Sequence, residues 1–260
     1  MKVVLFCGGL GLRLHPATEN IPKPLVTVGG KPILWHLMKY YAYFGHKDFI
    51  LCLGYKGEEI KKFFLNYDEC LSNDFILSQG GQKRQLLKSD IDDWTITFAD
   101  TGMSANVGQR LKAVEKYLQG EEMFLANYSD GLTDFPLNKL IDFTIKQGKV
   151  GCLLLVKPFF SFHAVSVGTD GRVKTICPMP ESTLRINGGF FVFKNKIFDY
   201  IENDEDLINE PFQRLIKKRE LIAYEYNGFW ASLDTYKDKQ RLDELISKNY
   251  SPWQLWKNHS

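Results

Sequence analysis

Apolar strand-like runs alternate with stretches of helical periodicity along the first half of this chain, and that order constrains the fold more than any other feature. Lys2 to Phe6 reads as a buried strand running straight into glycines. Ile33 to Phe44 places Ile33, Leu34, Leu37, Met38 and Tyr41 at helical spacing. Phe49 to Leu53 is a second strand, closed by Gly54, and Glu58 to Tyr67 a second helix. Leu71 to Trp94 is polar and irregular, and reads as a strand pair on an edge. Thr95 to Ala99 is a strand, Val107 to Leu118 an amphipathic helix, and Met123 to Asn127 a strand ending at Tyr128-Ser129-Asp130-Gly131. Strands joined through helices lie parallel, and a parallel sheet needs both faces covered.

After about residue 150 the pattern turns towards strands: Gly151 to Val156, Ala164 to Val167, Val173 to Cys177, Gly188 to Phe193 and Leu221 to Tyr226. Short helices lie between them, and a last one spans Tyr236 to Ser247. No Ser- or Pro-rich linker separates the halves, so the expectation is one continuous α/β domain. A chain of 260 residues is long enough to bury a full core in that form.

Charge is nearly balanced, 33 Lys and Arg against 31 Asp and Glu, which gives no broad electrostatic argument for nucleic acid or a membrane surface. The apolar run at the N-terminus is about five residues, shorter than the roughly 7–15 of a signal-peptide core, and ends in glycines. No stretch approaches the roughly 20 apolar residues of a membrane span. The five cysteines are odd in number and never form Cys-x-x-Cys. Cys7, Cys52 and Cys152 sit in apolar runs as small buried hydrophobes, so a disulfide framework or zinc site is not expected. A reducing cytoplasm fits this usage.

The densest chemistry is Gly8-Gly9-Leu10-Gly11-Leu12-Arg13-Leu14, directly after the first strand. Glycines there let main-chain N–H groups approach an anion closely, and Arg13 and Lys23 add fixed positive charge. By position alone such a loop reads equally as a structural turn. The dinucleotide pattern lacks its third glycine, and no Gly-x-x-x-x-Gly-Lys-Ser/Thr occurs. In Ile21-Pro22-Lys23-Pro24-Leu25 two prolines are expected to hold Lys23 in an extended segment, ready for a phosphate at little ordering cost. Otherwise it is a solvated surface lysine.

Gly-Gly-x-Gly at residues 8–11 and Pro22-Lys23-Pro24 are followed by Gly54-Tyr55-Lys56-Gly57, Asp100-Thr101-Gly102, Arg110-Leu111-Lys112 and Asn187-Gly188-Gly189-Phe190-Phe191. In this order, from Met1 to about Trp256, the chain resembles the sugar-1-phosphate nucleotidylyltransferases, and within them the cytidylyltransferase subgroup. The resemblance implies a mixed, mostly parallel, Rossmann-like α/β sheet flanked by helices, with a nucleotide-binding part to about residue 131 and a strand-rich acceptor-binding part to residue 260. It implies transfer of CMP from CTP to a small phosphorylated acceptor with release of pyrophosphate, with Mg2+ as cofactor. Leu5, Gly8, Gly9, Gly11, Arg13, Lys23, Gly108 and Arg110 fall on the nucleotide side, Arg110 near the base. Arg13, Lys23 and Asp130 are the catalytic set, Asp130 and Asp234 the metal ligands, and Tyr128, Asn187 and Gly188 line the acceptor side. Relatives also form homo-oligomers, for which the tail aromatics Tyr250, Trp253 and Trp256 offer a contact between subunits.

Nucleotidyl transfer asks the protein for positioning and charge neutralisation, not for a nucleophile of its own. Mg2+ suits that task, taking one or two carboxylates plus phosphate oxygens. Taken alone, Asp130 in Ser-Asp-Gly reads as a turn residue, and Asp234 as the N-cap of the last helix.

Several positions depart from the family pattern. Leu12 stands where a loop threonine is usual, and Ser129 where glycine is usual. The acceptor side departs further: a Glu-Lys-Pro whose lysine binds the acceptor phosphate is replaced by Cys177-Pro178-Met179. Lys174 or Arg185 is then the nearby substitute, and Phe162-His163 stands where the family has Phe-Gly near the sugar. His163 adds volume and a hydrogen-bonding group, or is a histidine with no substrate contact. With the nucleotide motifs kept and the acceptor motifs changed, the expected acceptor is not glucose 1-phosphate. A catalytically idle nucleotide binder is the alternative. A glycosyltransferase reading would rest on the Asp-x-Asp pair Asp90-x-Asp92, which lies in the irregular stretch and not at a strand end.

Overall fold

The first strand, Val3–Phe6 (β1), is four apolar residues buried on both faces, the pattern of a central parallel strand. The computed structural model describes residues 1–11, 14, 21–158 and 162–259. β1 is joined in one sheet by Asp48–Leu53 (β2), Thr95–Asp100 (β3), Met123–Asn127 (β4), Gly151–Val156 (β5), Ile186–Lys194 (β6) and Leu221–Glu225 (β7). Their spatial order is β7-β5-β6-β4-β1-β2-β3. β1 pairs in parallel with β2 and β4, β2 with β3, and β5 with β7, while β6 runs against both neighbours. The chain leaves β1 towards β2 on one side and returns to β4 on the other. That makes the C-terminal end of β1 the topological switch point, where open α/β sheets bind ligands.

Alternation along the strands sends Val3 and Leu5 into one apolar cluster and Val4 and Phe6 into another. Helices Ile33–Tyr43 (α1), Gly57–Leu65 (α2) and Leu137–Gln147 (α4) cover the first face. Val107–Ala113 (α3) and Glu210–Lys217 (α5) cover the second, and Tyr236–Ser247 (α6) packs on a third, smaller cluster. Among the described residues no helix is long and apolar enough to cross a membrane. All five cysteines are free.

Three expectations need correction. The helix expected over Val107 to Leu118 stops at Ala113 and continues as a 3-10 turn, Glu115–Tyr117. The irregular stretch forms a hairpin, Phe75–Ser78 with Lys83–Leu86, that is a separate two-stranded sheet with every residue exposed, not an edge of the main one. The tail aromatic Trp253 does not wait for another subunit: it is 1 % exposed inside its own chain. Unanticipated was α4, whose buried face is Leu137, Leu140, Ile141 and Thr144; a threonine in the last place, its hydroxyl donating to Leu140 O, weakens the apolar period.

α1 also carries a buried titratable group. His36 Nε2 lies 2.9 Å from Val28 O, and its Nδ1 3.4 Å from the Trp253 indole nitrogen. An indole N–H only donates, so Nδ1 accepts and Nε2 carries the proton given to Val28. Burial pushes the imidazole pKa from 6.5 down to about 4; the Val28 carbonyl opposes this, and the charges of Lys257 and Lys31 add to it. The unfolded imidazole takes its proton near 6.5, the folded one near 4, so stability present above 6.5 is lost as pH falls through that window. The loss amounts to about 3 kcal/mol. Urea midpoints of His36→Gln should fall less between pH 6.5 and 4 than those of the parent; equal slopes would exclude His36 as the source.

Candidate active site

Beyond β1 the chain makes one more ladder bond, Cys7 N to Cys52 O at 3.0 Å, and turns into the glycine loop. Gly8 is glycine for a reason other than an anion. A Cβ there would lie 2.2 Å from the Arg110 guanidinium, which donates to Gly8 O at 3.0 Å. The same guanidinium donates to Leu53 O, Thr101 Oγ1, Gly102 O and Met103 O, tying together the chain ends beyond β1, β2 and β3. Arg110, assigned to the base by resemblance, is thus 4 % exposed with both terminal nitrogens engaged, and it braces the loop. Gly9 and Gly11 line the cavity beside it.

Two more residues expected on the nucleotide side are packed against the protein's own core. Leu5 is wholly buried in the first core cluster, so its side chain meets other core residues and not a ligand. Gly108 sits within α3, where a Cβ would lie 2.2 Å from Glu205 O, so its bareness serves helix packing. Leu12 and Arg13 lie outside the described residues.

Beyond β4 the turn is made by its neighbours, leaving Asp130 unspent. Asn127 Oδ1 accepts from Ser129 N at 2.8 Å, Ser129 takes a left-handed φ of 63°, and its hydroxyl donates to Phe6 O at 2.7 Å. The Asx-type turn therefore belongs to Asn127. Asp234 arrives by a short antiparallel pair in which Gly131–Thr133 lies against Trp230–Ser232, with Ser232 opposite Gly131. Leu233 N then donates to Asp130 O at 2.9 Å, which sets the two aspartates side by side. Nor is Asp234 the cap of α6: Thr235 is, in a capping box with Asp238.

Lys23 completes the group. It opens a 3-10 turn, Lys23–Leu25, after the extended Pro22, which corrects the expectation of a fully extended segment. Its Nζ donates to Asp130 Oδ2 at 2.7 Å and to Asp234 Oδ1 at 2.9 Å. Burial draws the Lys23 pKa down, yet the two carboxylates outweigh it and hold the ammonium above its ordinary value. Burial likewise raises Asp130, and Lys23 only partly offsets it while Asp234 adds like charge. A carboxyl still raised with an ammonium in contact favours further positive charge. Two carboxylates converging on one nitrogen are a donor set that fits a hard divalent cation held by oxygen. The three side chains open into a cavity of about 430 Å³, bounded also by Gly9, Gly11 and Tyr128.

Tyr128, Asn187 and Gly188 adjoin one another. Asn187 Nδ2 donates to the Tyr128 hydroxyl at 3.2 Å, its Oδ1 accepts from Gly189 N, and Tyr128 N donates to Gly189 O. The Trp230 indole N–H donates to Gly188 O at 2.9 Å. Trp230 was not expected here, although it stands in the same short run that leads to Asp234. Three acceptor-side residues are not brought to this group. His163 is exposed at the start of the hairpin strand His163–Val167, opposite Pro178. Lys174 falls at the bulge in the partner strand, next to the turn and about 13 Å along it from Pro178. Arg185 is paired with Glu225, Nη2 to Oε1 at 2.6 Å, and donates to Asn227 as well.

Known proteins resemble this chain in sequence and in fold. A family model described as nucleotidyl transferase matches residues 2–240. A glucose-1-phosphate cytidylyltransferase from Salmonella typhimurium is 40 % identical over 258 residues, covering 98 % of this chain and 100 % of the relative. Among solved structures, an apo UDP-glucose pyrophosphorylase superposes with a TM-score of 0.70 at 16 % identity, covering 96 % of this chain and 99 % of the other. HddC from Yersinia pseudotuberculosis does so with a TM-score of 0.66 at 20 % identity, covering 94 % and 99 %. Identities that low establish a shared fold.

Proposed function

The chain belongs to the nucleotidyl transferase family, and on that premise we propose that it transfers CMP from CTP to a sugar 1-phosphate and releases pyrophosphate. The observation that carries this is Lys23 Nζ holding Asp130 and Asp234 together, at 2.7 and 2.9 Å, at the switch point of the sheet. In the reaction an acceptor phosphate oxygen forms a bond to the α-phosphorus of CTP. The bond from that phosphorus to the bridging oxygen of pyrophosphate breaks, and the electron pair leaves with pyrophosphate. Lys23 lies between the loop and the two aspartates, placed to neutralise phosphate charge as it shifts towards the leaving group. Gly9 and Gly11 leave the cavity floor open for the triphosphate, and Arg110 holds that loop in register through Gly8. Asp130 and Asp234 are the residues that would hold Mg2+, whose charge would draw the phosphate oxygens together and favour departure of pyrophosphate.

On the acceptor side, Tyr128, Asn187 and Gly188 form the wall, with Trp230 behind it. Arg185 is committed to Glu225 and Lys174 stands at the hairpin end, so neither replaces the family lysine. The missing family lysine at Cys177-Pro178-Met179 supports a sugar 1-phosphate other than glucose 1-phosphate. Purified protein mixed with CTP, Mg2+ and a panel of sugar 1-phosphates should release pyrophosphate, faster than with UTP or dTTP. Release from no combination would leave an idle nucleotide binder, and glucose 1-phosphate emerging as best acceptor would refute the acceptor reading alone.

A further inference from the structure

The residues assigned to the site come from four distant stretches, and one apolar cluster joins all four. Leu14 follows the glycine loop, Val26 follows Lys23, Leu132 follows Asp130, and Leu233 precedes Asp234. All four side chains are buried together in the third cluster, apart from the two that line the central sheet. Among the described residues, the strands that bring in Asp130 and Asp234 make only three cross-strand pairs and join no other sheet. A two-stranded pair of that length is not stable by itself in water, so its position depends on what it packs against.

One member of that cluster comes from far along the chain. Trp253, on the turn after Ser251, is 1 % exposed and the largest of the fully buried side chains. Its ring stacks on Phe229 with centroids 5.5 Å apart and planes at 26°. Phe229 is the residue before the Asp234-bearing strand, and its carbonyl accepts from the Thr133 hydroxyl at 2.7 Å on the Asp130-bearing strand. On the other side the indole N–H donates to His36 of α1 at 3.4 Å. Trp253 therefore touches both a fixed helix and the short strand pair.

We propose that Trp253 is a positioning residue for Lys23, Asp130 and Asp234, acting through Phe229 and the strand pair; this rests on the reading of the site given above. A smaller side chain leaves a void under Phe229, and the pair can shift by the fraction of an ångström that such a site does not tolerate.

The test compares Trp253→Ala and Trp253→Leu with Leu215→Ala, a fully buried position in the cluster on the opposite face of the sheet. The Leu233 amide, which donates to Asp130 O, should exchange with solvent about tenfold faster in Trp253→Ala, with the Leu125 amide of the central sheet unchanged. The Mg2+ concentration for half-maximal pyrophosphate release should rise about fivefold, and about threefold in Trp253→Leu, which decides the matter if the alanine variant does not fold. Leu215→Ala should move neither quantity. Both readouts within about twofold of the parent in the Trp253 variants, or the same shifts in Leu215→Ala, would overturn the proposal. Asp130→Asn, assayed alongside, separates the two ideas. If it keeps its turnover the reading of the site fails; if it loses turnover while the Trp253 variants leave both readouts within about twofold, only the role of Trp253 fails.

Discussion

Asp130→Asn is expected to lower turnover at least about a hundredfold while leaving the protein folded, because the lost charge acts mainly in the transition state. The side chain keeps its shape and its place beside Lys23. Stability should not suffer, and the sign can be worked out. Burial holds the Asp130 carboxyl above its ordinary 3.8 despite Lys23, so the ionised form costs folding energy at neutral pH. A neutral amide removes that cost, and Tm at pH 7 should stay level or rise. The pair of measurements is therefore kcat and Tm on one preparation. Normal turnover would remove Asp130 from the mechanism, and a large fall in Tm would show that its carboxylate is held for stability instead.

Lys23→Ala should have the opposite effect on stability and a comparable one on rate, about a hundredfold or more in kcat/KM for CTP. Two carboxylates then face each other without the ammonium that joined them. Side-chain exposures of 15 % for Lys23 and 26 % for each aspartate admit some water, so the cost is about 3 kcal/mol, the lower end for breaking a buried pair. In the parent, Lys23 has its pKa raised, so its contribution is complete below 10.5 and is lost as pH rises through the raised value. In the variant the penalty should shrink as pH falls into the carboxyl range, where Asp130 protonates early. Mg2+ should restore more stability to Lys23→Ala than to the parent, because the ion would take the place of the missing charge. Thermal melts across pH, with and without Mg2+, check all of this. A variant as stable as the parent at pH 7, and indifferent to the metal, would show that the two carboxylates are not held against one another.

Much of the framework was readable from local signals. Met123–Asn127, Gly151–Val156 and Tyr236–Ser247 fall where buried runs and helical spacing put them, since each is bounded by its own turn or cap residues. α4 escaped notice because Thr144 occupies one of its four buried places. Around the site the division is between short and long range. The glycine loop, Lys23 between prolines and the two aspartates stood out by residue type and order. That Lys23 touches both aspartates depends on the pairing of Gly131–Thr133 with Trp230–Ser232, which no local pattern encodes. Gly8 illustrates the same limit: the sequence shows a bare backbone, and only the fold shows that Arg110, far along the chain, fills the space. Trp230 reads as an ordinary aromatic and Trp253 as a subunit contact until their partners Gly188 and Phe229 are known.

A crystal structure of the protein soaked with CTP and Mg2+ tests the central claim most directly. It should show the triphosphate along Gly9 and Gly11 with Lys23 on a phosphate oxygen, and one ion shared by Asp130, Asp234 and the nucleotide. A triphosphate bound elsewhere, or one bound here with its ion touching neither aspartate, would contradict the account.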